Sequence, residues 1–182
     1  MKANTIAVAL VHHPVLNRLG ESSTTSITPM DVHDFARSCA FYGIEKVYLI
    51  HPAKGMQAMV HDLTAYWQTG EGGVRNTGRK KVLQSICVVH SLQEAQQAGD
   101  YQLWMTSAQP GDGKVIEPSE LPKTTGNHLI VFGTGCGLDM KKLSNVSSTE
   151  NRWLSPIVGM GKVRHLSVRA ALAIYLDRLG MI

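Results

Sequence analysis

Five short runs of almost purely apolar residues punctuate this chain, and each is too brief to be a helix. They are Ile6–Val11, Val47–Ile50, Ile86–Val89, and the stretches 103–106 and 129–132. A strand with one wet face alternates apolar and polar residues, so a continuous run marks a strand covered on both faces. Between the runs, apolar residues recur at helical spacing. From Asp31, these are Val32, Phe35, Ala36, Cys39 and Ala40, with Thr28 or Asp31 placed to cap and Gly43 to stop the helix. Met56, Met59, Val60, Leu63, Tyr66 and Trp67 predict a second helix. The loop TGEGGVRN then leads to a short third helix around 79–83. Ser91 followed by Glu94 is a capping-box signature for a fourth. A last helix is predicted over 167–179, ended by Gly180. Strands alternating with helices predict an α/β fold with a mostly parallel sheet and helices on both faces. In such sheets ligands sit beyond the carboxyl ends of the strands.

The 182 residues are read as one domain, 1–182. A net charge of +4 permits a nucleic-acid partner without requiring one. Cys39, Cys87 and Cys136 are odd in number and unpaired in spacing, which argues against a disulfide framework and for a reducing cytoplasm. No signal segment is read at the N-terminus. No apolar run approaches the roughly 18 residues of a membrane helix, so no membrane partner is expected.

The segment GTGCGL follows the fifth strand. It is neither GxGxxG nor a phosphate-binding P-loop, because no third glycine or Gly-Lys-Ser/Thr falls in register. It is either a plain tight turn or a turn whose glycines let a ligand approach the backbone. Near the C-terminus, PIVGMGKVRHLSVRAALAIYLDRLG carries a glycine loop into a helix start, where Ser167 fits both a cap and a ligand contact. Arg37 has a planar, permanently charged fork suited to phosphate, or else a surface ion pair with Asp31 or Asp34. Asp31 can orient Arg37, act as a base or cap its helix. Arg75, Asn76 and Arg79 can grip a phosphate backbone or line a solvated loop. His12 and His13 are adjacent and point to opposite faces of a strand, and no cysteine or carboxylate stands near them at zinc spacing, so no metal is expected. Cys136 has no evident His/Asp partner for nucleophilic chemistry.

These segments together resemble the SPOUT superfamily, the knotted RNA methyltransferases. The first motif of its 2′-O-methylating branch is an asparagine, an arginine six positions on, then a helix and a strand; Asp31 and Arg37 occupy those positions here. VHHPVLNRLGESSTTSITPMDVHDFARS and RHLSVRAALAIYLDRL are similar to signature stretches of a small family, SAM-dependent RNA methyltransferase, found alone or fused to tRNA guanine-N1 methyltransferases. The resemblance implies a trefoil-knotted C-terminal half, bound S-adenosylmethionine, an RNA substrate (tRNA or rRNA) and a homodimer. It implies that Phe132, Gly133, Thr134, Gly135, Gly137, Leu138, Ile157, Gly159, Gly161, Leu166 and Ser167 hold the cofactor. Catalysis falls to Arg37, Asp31, Ser167 and His165, and substrate contact to Arg75, Asn76 and Arg79. Two departures leave the acceptor atom open. No glutamate lies within Thr134-Gly135-Cys136, and His165 and Ser167 stand where the branch has a serine and an asparagine. Two alternatives remain: a non-catalytic knotted module that binds RNA or cofactor, and a flavodoxin-like nucleotide-binding domain without a knot.

Overall fold

A computed structural model describes residues 5–109, 111–143, 146 and 151–180. The elements run β1 Ile6–Val11, β2 Val15–Leu16, β3 Ser22–Ser23, α1 Pro29–Phe41, β4 Val47–Ile50, α2 Lys54–Gln68, α3 Glu71–Arg75, α4 Thr77–Leu83 and β5 Ile86–Val89. They continue as α5 Leu92–Gly99, β6 Tyr101–Met105, β7 Lys114–Ile116, a 3-10 helix over Pro118–Lys123, β8 Asn127–Gly133, α6 Met140–Leu143, β9 Arg152–Leu154 and α7 Val168–Arg178.

Seven strands form one sheet in the order β5-β4-β1-β8-β6-β9-β7, and every pairing in it is parallel. β1 lies inside the sheet between β4 and β8, with Ala9 opposite Tyr48 of β4 and Val131 of β8. Its even residues Val8 and Leu10 enter one core with Val32 and Phe35 of α1, Leu83 of α4, and Leu172 and Leu176 of α7. Its odd residues Ala7, Ala9 and Val11 enter a second core with Leu92 and Ala95 of α5 and Leu143 of α6. Both faces are therefore covered, which is why the strand runs are continuously apolar. No helix among the described residues is long and apolar enough to cross a membrane.

Local signals set the helix ends. Thr28 and Asp31 both serve α1: the Thr28 hydroxyl accepts from the Asp31 amide, and the Asp31 carboxylate accepts from the Thr28 amide. Ser91 caps α5, but the Glu94 carboxylate reaches the amide of His90, one residue further back than a capping box places it. Two expectations need correction. The glycine-rich segment before α4 is not a loop: Glu71–Arg75 forms α3, with Gly72 and Gly73 buried against Tyr66 and Trp67, where a Cβ on Gly72 would come within 2.8 Å of the Trp67 ring. The short strands β7 and β9 are not among the expected ones, because three residues with one cationic end each leave no apolar run to detect.

Candidate functional site

The carboxyl ends of β1, β4 and β8 lie side by side, and the residues that follow them are joined by one polar network. Thr25, in the loop before α1, is its hub. Its amide donates to the His12 carbonyl at 2.9 Å, and its backbone lies close enough to His51, just beyond β4, to favour the protonated ring. Its hydroxyl meets both His12 Nδ1, at 2.9 Å, and the hydroxyl of Thr134 in the turn after β8. The Thr134 hydroxyl has one proton and spends it on the Val11 carbonyl at 3.0 Å. Thr25 must then donate to Thr134, so the proton on His12 sits at Nδ1. His12 Nε2 is left as a bare lone pair, buried and without a hydrogen-bond partner among the described residues. Burial drives the His12 pKa down to about 4, against the opposing pull of the Asp31 carboxylate and with a smaller push from His51. His51 is also lowered, chiefly by burial, and its Nδ1 accepts from the Ala53 amide. Both imidazoles are therefore neutral at physiological pH.

The turn at 133–138 is rigid. The Thr134 amide donates to Val11, the Cys136 amide to Leu16 and the Gly137 amide to Thr134, while the Gly137 carbonyl accepts from Leu16. Gly135 and Gly137 have φ of +60° and +109°. A side chain on Gly135 would sit 2.8 Å from the Leu16 carbonyl, whereas the space above Gly137 is open. Glycine is thus required here by backbone conformation at both positions and by crowding at one. Cys136 is exposed.

The second predicted segment is different in kind. Among the described residues, no hydrogen bond joins 157–166 to anything else. Val158, Met160, Val163 and Leu166 stand 83%, 106%, 72% and 47% exposed. Ile157 and Val168, at its two ends, pack on the core that holds Leu172 and also Phe132, the residue before the turn. Ser167 then caps α7, its hydroxyl accepting from the Ala170 amide. His165 is exposed.

Asp31 faces α7, not Arg37. Arg169 Nη1 lies 3.1 Å from Asp31 Oδ1, and Arg169 Nε lies 3.3 Å from Asp34 Oδ2. The other Asp31 oxygen accepts from the Thr28 amide and hydroxyl. Both carboxylate oxygens are committed, so Asp31 holds the starts of α1 and α7 together. Arg37 is exposed on α1 and has no ion pair among the described residues; its charge is felt instead at His33, together with that of Arg79. Arg79 stacks over Trp67 at 4.5 Å. Asn76 caps α4 through the Arg79 amide, and Arg75 pairs with Glu71 across one exposed turn. The structure thus brings Thr134, Asp31 and the start of α7 to one end of the sheet, and places Arg37 with Arg79 beside α4. Sequence reasoning missed Thr25, His51 and Arg169. They lie far apart in the chain, and only the fold assembles them. His12 was noticed, but only as a metal-ligand question.

Chain-wide similarity adds to this geometry. A family model described as SAM-dependent RNA methyltransferase matches residues 5–181. The chain belongs to that family. An uncharacterized protein of Aquifex aeolicus is 32% identical over 96% of this chain and 87% of its own length. A tRNA (guanine-N(1)-)-methyltransferase of Nitratidesulfovibrio vulgaris is also 32% identical, but the match covers 94% of this chain and only 41% of that protein. The crystal structure of TrmJ from Z. mobilis superposes with a TM-score of 0.62 at 16% identity, over 96% of this chain and 68% of that one. The SPOUT resemblance and the α/β fold with a parallel sheet both stand.

Proposed function

We propose that this SAM-dependent RNA methyltransferase seats S-adenosylmethionine between the turn at 133–138, the segment 157–161 and residues 166–167, and transfers its methyl group to tRNA or rRNA in the cytoplasm. One observation carries the placement: a glycine turn fixed by hydrogen bonds shares its core with the two ends of a ten-residue segment whose backbone makes no hydrogen bond among the described residues. Such a pair fits an adenosine, whose edge carries donors and acceptors and whose ring is apolar. Phe132, Gly133, Thr134, Gly135, Gly137 and Leu138 form one wall. Ile157, Gly159, Gly161, Leu166 and Ser167 form the other. The cofactor, when bound, supplies an electrophilic methyl group. The protein's part is to hold the acceptor in line and to take up its proton.

In this reading the chain is one domain whose C-terminal half is knotted. Arg37, with Ser167 and His165, serves the acceptor. Asp31 acts through Arg169 as an anchor, because its oxygens are already engaged. Arg75, Asn76 and Arg79 touch the RNA. A second copy covers the exposed apolar residues of 157–166, making the active form a homodimer. Titration calorimetry should show S-adenosylmethionine binding to the wild-type protein. Gly135→Val, which drives a side chain into the Leu16 carbonyl, should abolish it. An intact, folded protein with no measurable affinity for the cofactor would refute the placement.

A further inference from the structure

The face built by α1, α2 and α4 carries more positive charge than Arg37 and Arg79 alone supply to the reading above. Arg37, Arg79, Lys80 and Lys81 have no ion pair among the described residues, while the cations elsewhere that do pair, Arg75 and Arg169, find carboxylates. Arg79 is held by an aromatic ring and not by an acid: its guanidinium lies over Trp67, and His33 meets the same ring edge-on at 5.8 Å. His33 feels the charge of both arginines. Its pKa is lowered by burial and by Arg79, against the pull of Asp34, and further by Arg37, so it adds no charge of its own at neutral pH. Asp34, the acid on α1 whose charge reaches His33, is itself paired with Arg169 at 3.3 Å. Beside Arg79, an open groove of about 580 Å³ is lined by Thr77, Gly78, Lys80, Lys81 and Gln84.

A helix C-terminus favours cations, which accounts for Lys80 and Lys81 in part. It does not account for Arg37, which lies on another helix, or for an arginine stacked on tryptophan. Four cations on α1 and α4 with no ion pair among the described residues raise the local potential and cost self-repulsion unless a polyanion neutralises them. An arginine stacked on an aromatic ring keeps its fork open toward phosphate at little further entropic cost.

We infer that this face, from Arg37 across Arg79 to the groove at Lys80 and Lys81, is the track on which the RNA phosphate backbone docks, so that RNA laid along α4 is led to Arg37. The inference rests on the methyltransferase reading above and extends it from three residues to a continuous surface. Lys80 and Lys81 are the added contacts. Stacking on Trp67 makes Arg79 a fixed point in that track.

The test is the salt dependence of binding to bulk tRNA, measured by fluorescence anisotropy for the full-length wild type, Lys80→Ala/Lys81→Ala and Arg79→Lys. Each lost phosphate contact lowers the slope of log affinity against log salt by about 0.7 to 0.9. The double variant should therefore lose about 1.5 in slope and roughly tenfold or more in affinity at low salt, with an unchanged melting temperature, since both lysines are exposed. Arg79→Lys keeps the charge and the slope but should bind a few-fold more weakly, because lysine lacks the planar stack. Wild-type binding with the same slope in the double variant would overturn the docking track and leave the methyltransferase reading standing. Absence of RNA binding by the wild type would remove both. Tighter binding of the wild type to anionic phosphatidylglycerol vesicles than to tRNA, lost in the double variant, would reassign the face to a membrane surface.

Discussion

Two arginines divide the labour that a single one was expected to do. Arg169 sits in the first turn of α7, the positive end of a helix, where a cation is unfavourable unless acids offset it. Asp31 and Asp34 supply that offset, and Asp31 is itself buried at the start of α1. Arg169→Ala strands a buried carboxylate and should lower stability by about 2 kcal/mol. Because the capping bonds of Asp31 remain, the loss should stop short of unfolding, and cofactor affinity should fall as the start of α7 loosens. Arg37 has no such partner. Arg37→Ala should leave stability within about 1 kcal/mol, as for any change away from the core. Its single-turnover methylation should drop far more than its cofactor affinity, with lysine a poor rescue. Equal effects of the two alanine variants on turnover and on melting would collapse the distinction. His12 gives a pH prediction. Its folded pKa is depressed from 6.5 to about 4, so below pH 6.5 the unfolded chain takes up a proton that the folded chain refuses. Stability should therefore be flat above pH 7 and fall by about 3 kcal/mol as pH drops toward 4. His33, His51 and His128 are shifted the same way and steepen the loss. In His12→Asn the decline from pH 6.5 to 4.5 should be shallower, from a lower starting stability; parallel denaturation curves would exclude His12 as the titrating group.

Elements were legible where a run of residues carried the signal. β1, β4 and β5 lie where their continuous apolar runs place them, and α7 ends one residue inside the predicted span, with Ser167 and Leu179 as its caps. The turn at 133–138 was legible as a turn, because glycines at φ above zero cannot be disguised in sequence. What it is tied to was not legible. The chain Thr134–Thr25–His12 spans residues 12 to 134, and a threonine in a Ser/Thr-rich loop announces nothing. α3 was missed because two glycines in five residues argue against a helix; packing on Tyr66 and Trp67 overrides that local preference. Within the turn, glycines divide by cause. At Gly133 an added Cβ meets the Leu138 amide nitrogen at 2.8 Å, whereas at Gly137 it meets nothing, but φ is +109°. Gly133→Ala should therefore displace the turn and weaken cofactor binding at least tenfold. Gly137→Ala should cost about 1 to 2 kcal/mol of stability from strain and affect cofactor affinity less. Paired thermal melts and calorimetry on the two variants check this, and the reverse order would mean that the open side of Gly137 is where the ligand lies.

At the scale of the molecule, the question is what covers the exposed apolar segment. α7 offers little apolar surface to a partner: Leu172, Tyr175 and Leu179 are buried in this chain's own core, and Ile174 is half-buried. The surplus lies instead in 157–166. Four large apolar side chains stand in water there, on a backbone that makes no hydrogen bond among the described residues. An isolated apolar residue at a surface is ordinary, but four in nine residues on an unsupported loop are not. A small cofactor can satisfy the backbone at 157–161, yet it is too small to cover Met160, Val163 and Leu166 together. A second copy can, and a twofold interface would bring two such segments together. Sedimentation of the wild type should therefore give a dimer at micromolar concentration. Met160→Asp puts a charge where the contact would be and should shift the protein to monomer without lowering its melting temperature when measured well below the dissociation constant, since Met160 touches nothing in its own subunit. If the interface also orders 157–166 around the cofactor, the monomeric variant should lose cofactor affinity in step with dimerisation, and both should recover at high protein concentration. A wild type that sediments as a monomer yet binds the cofactor with full affinity would show that the segment is completed within one chain.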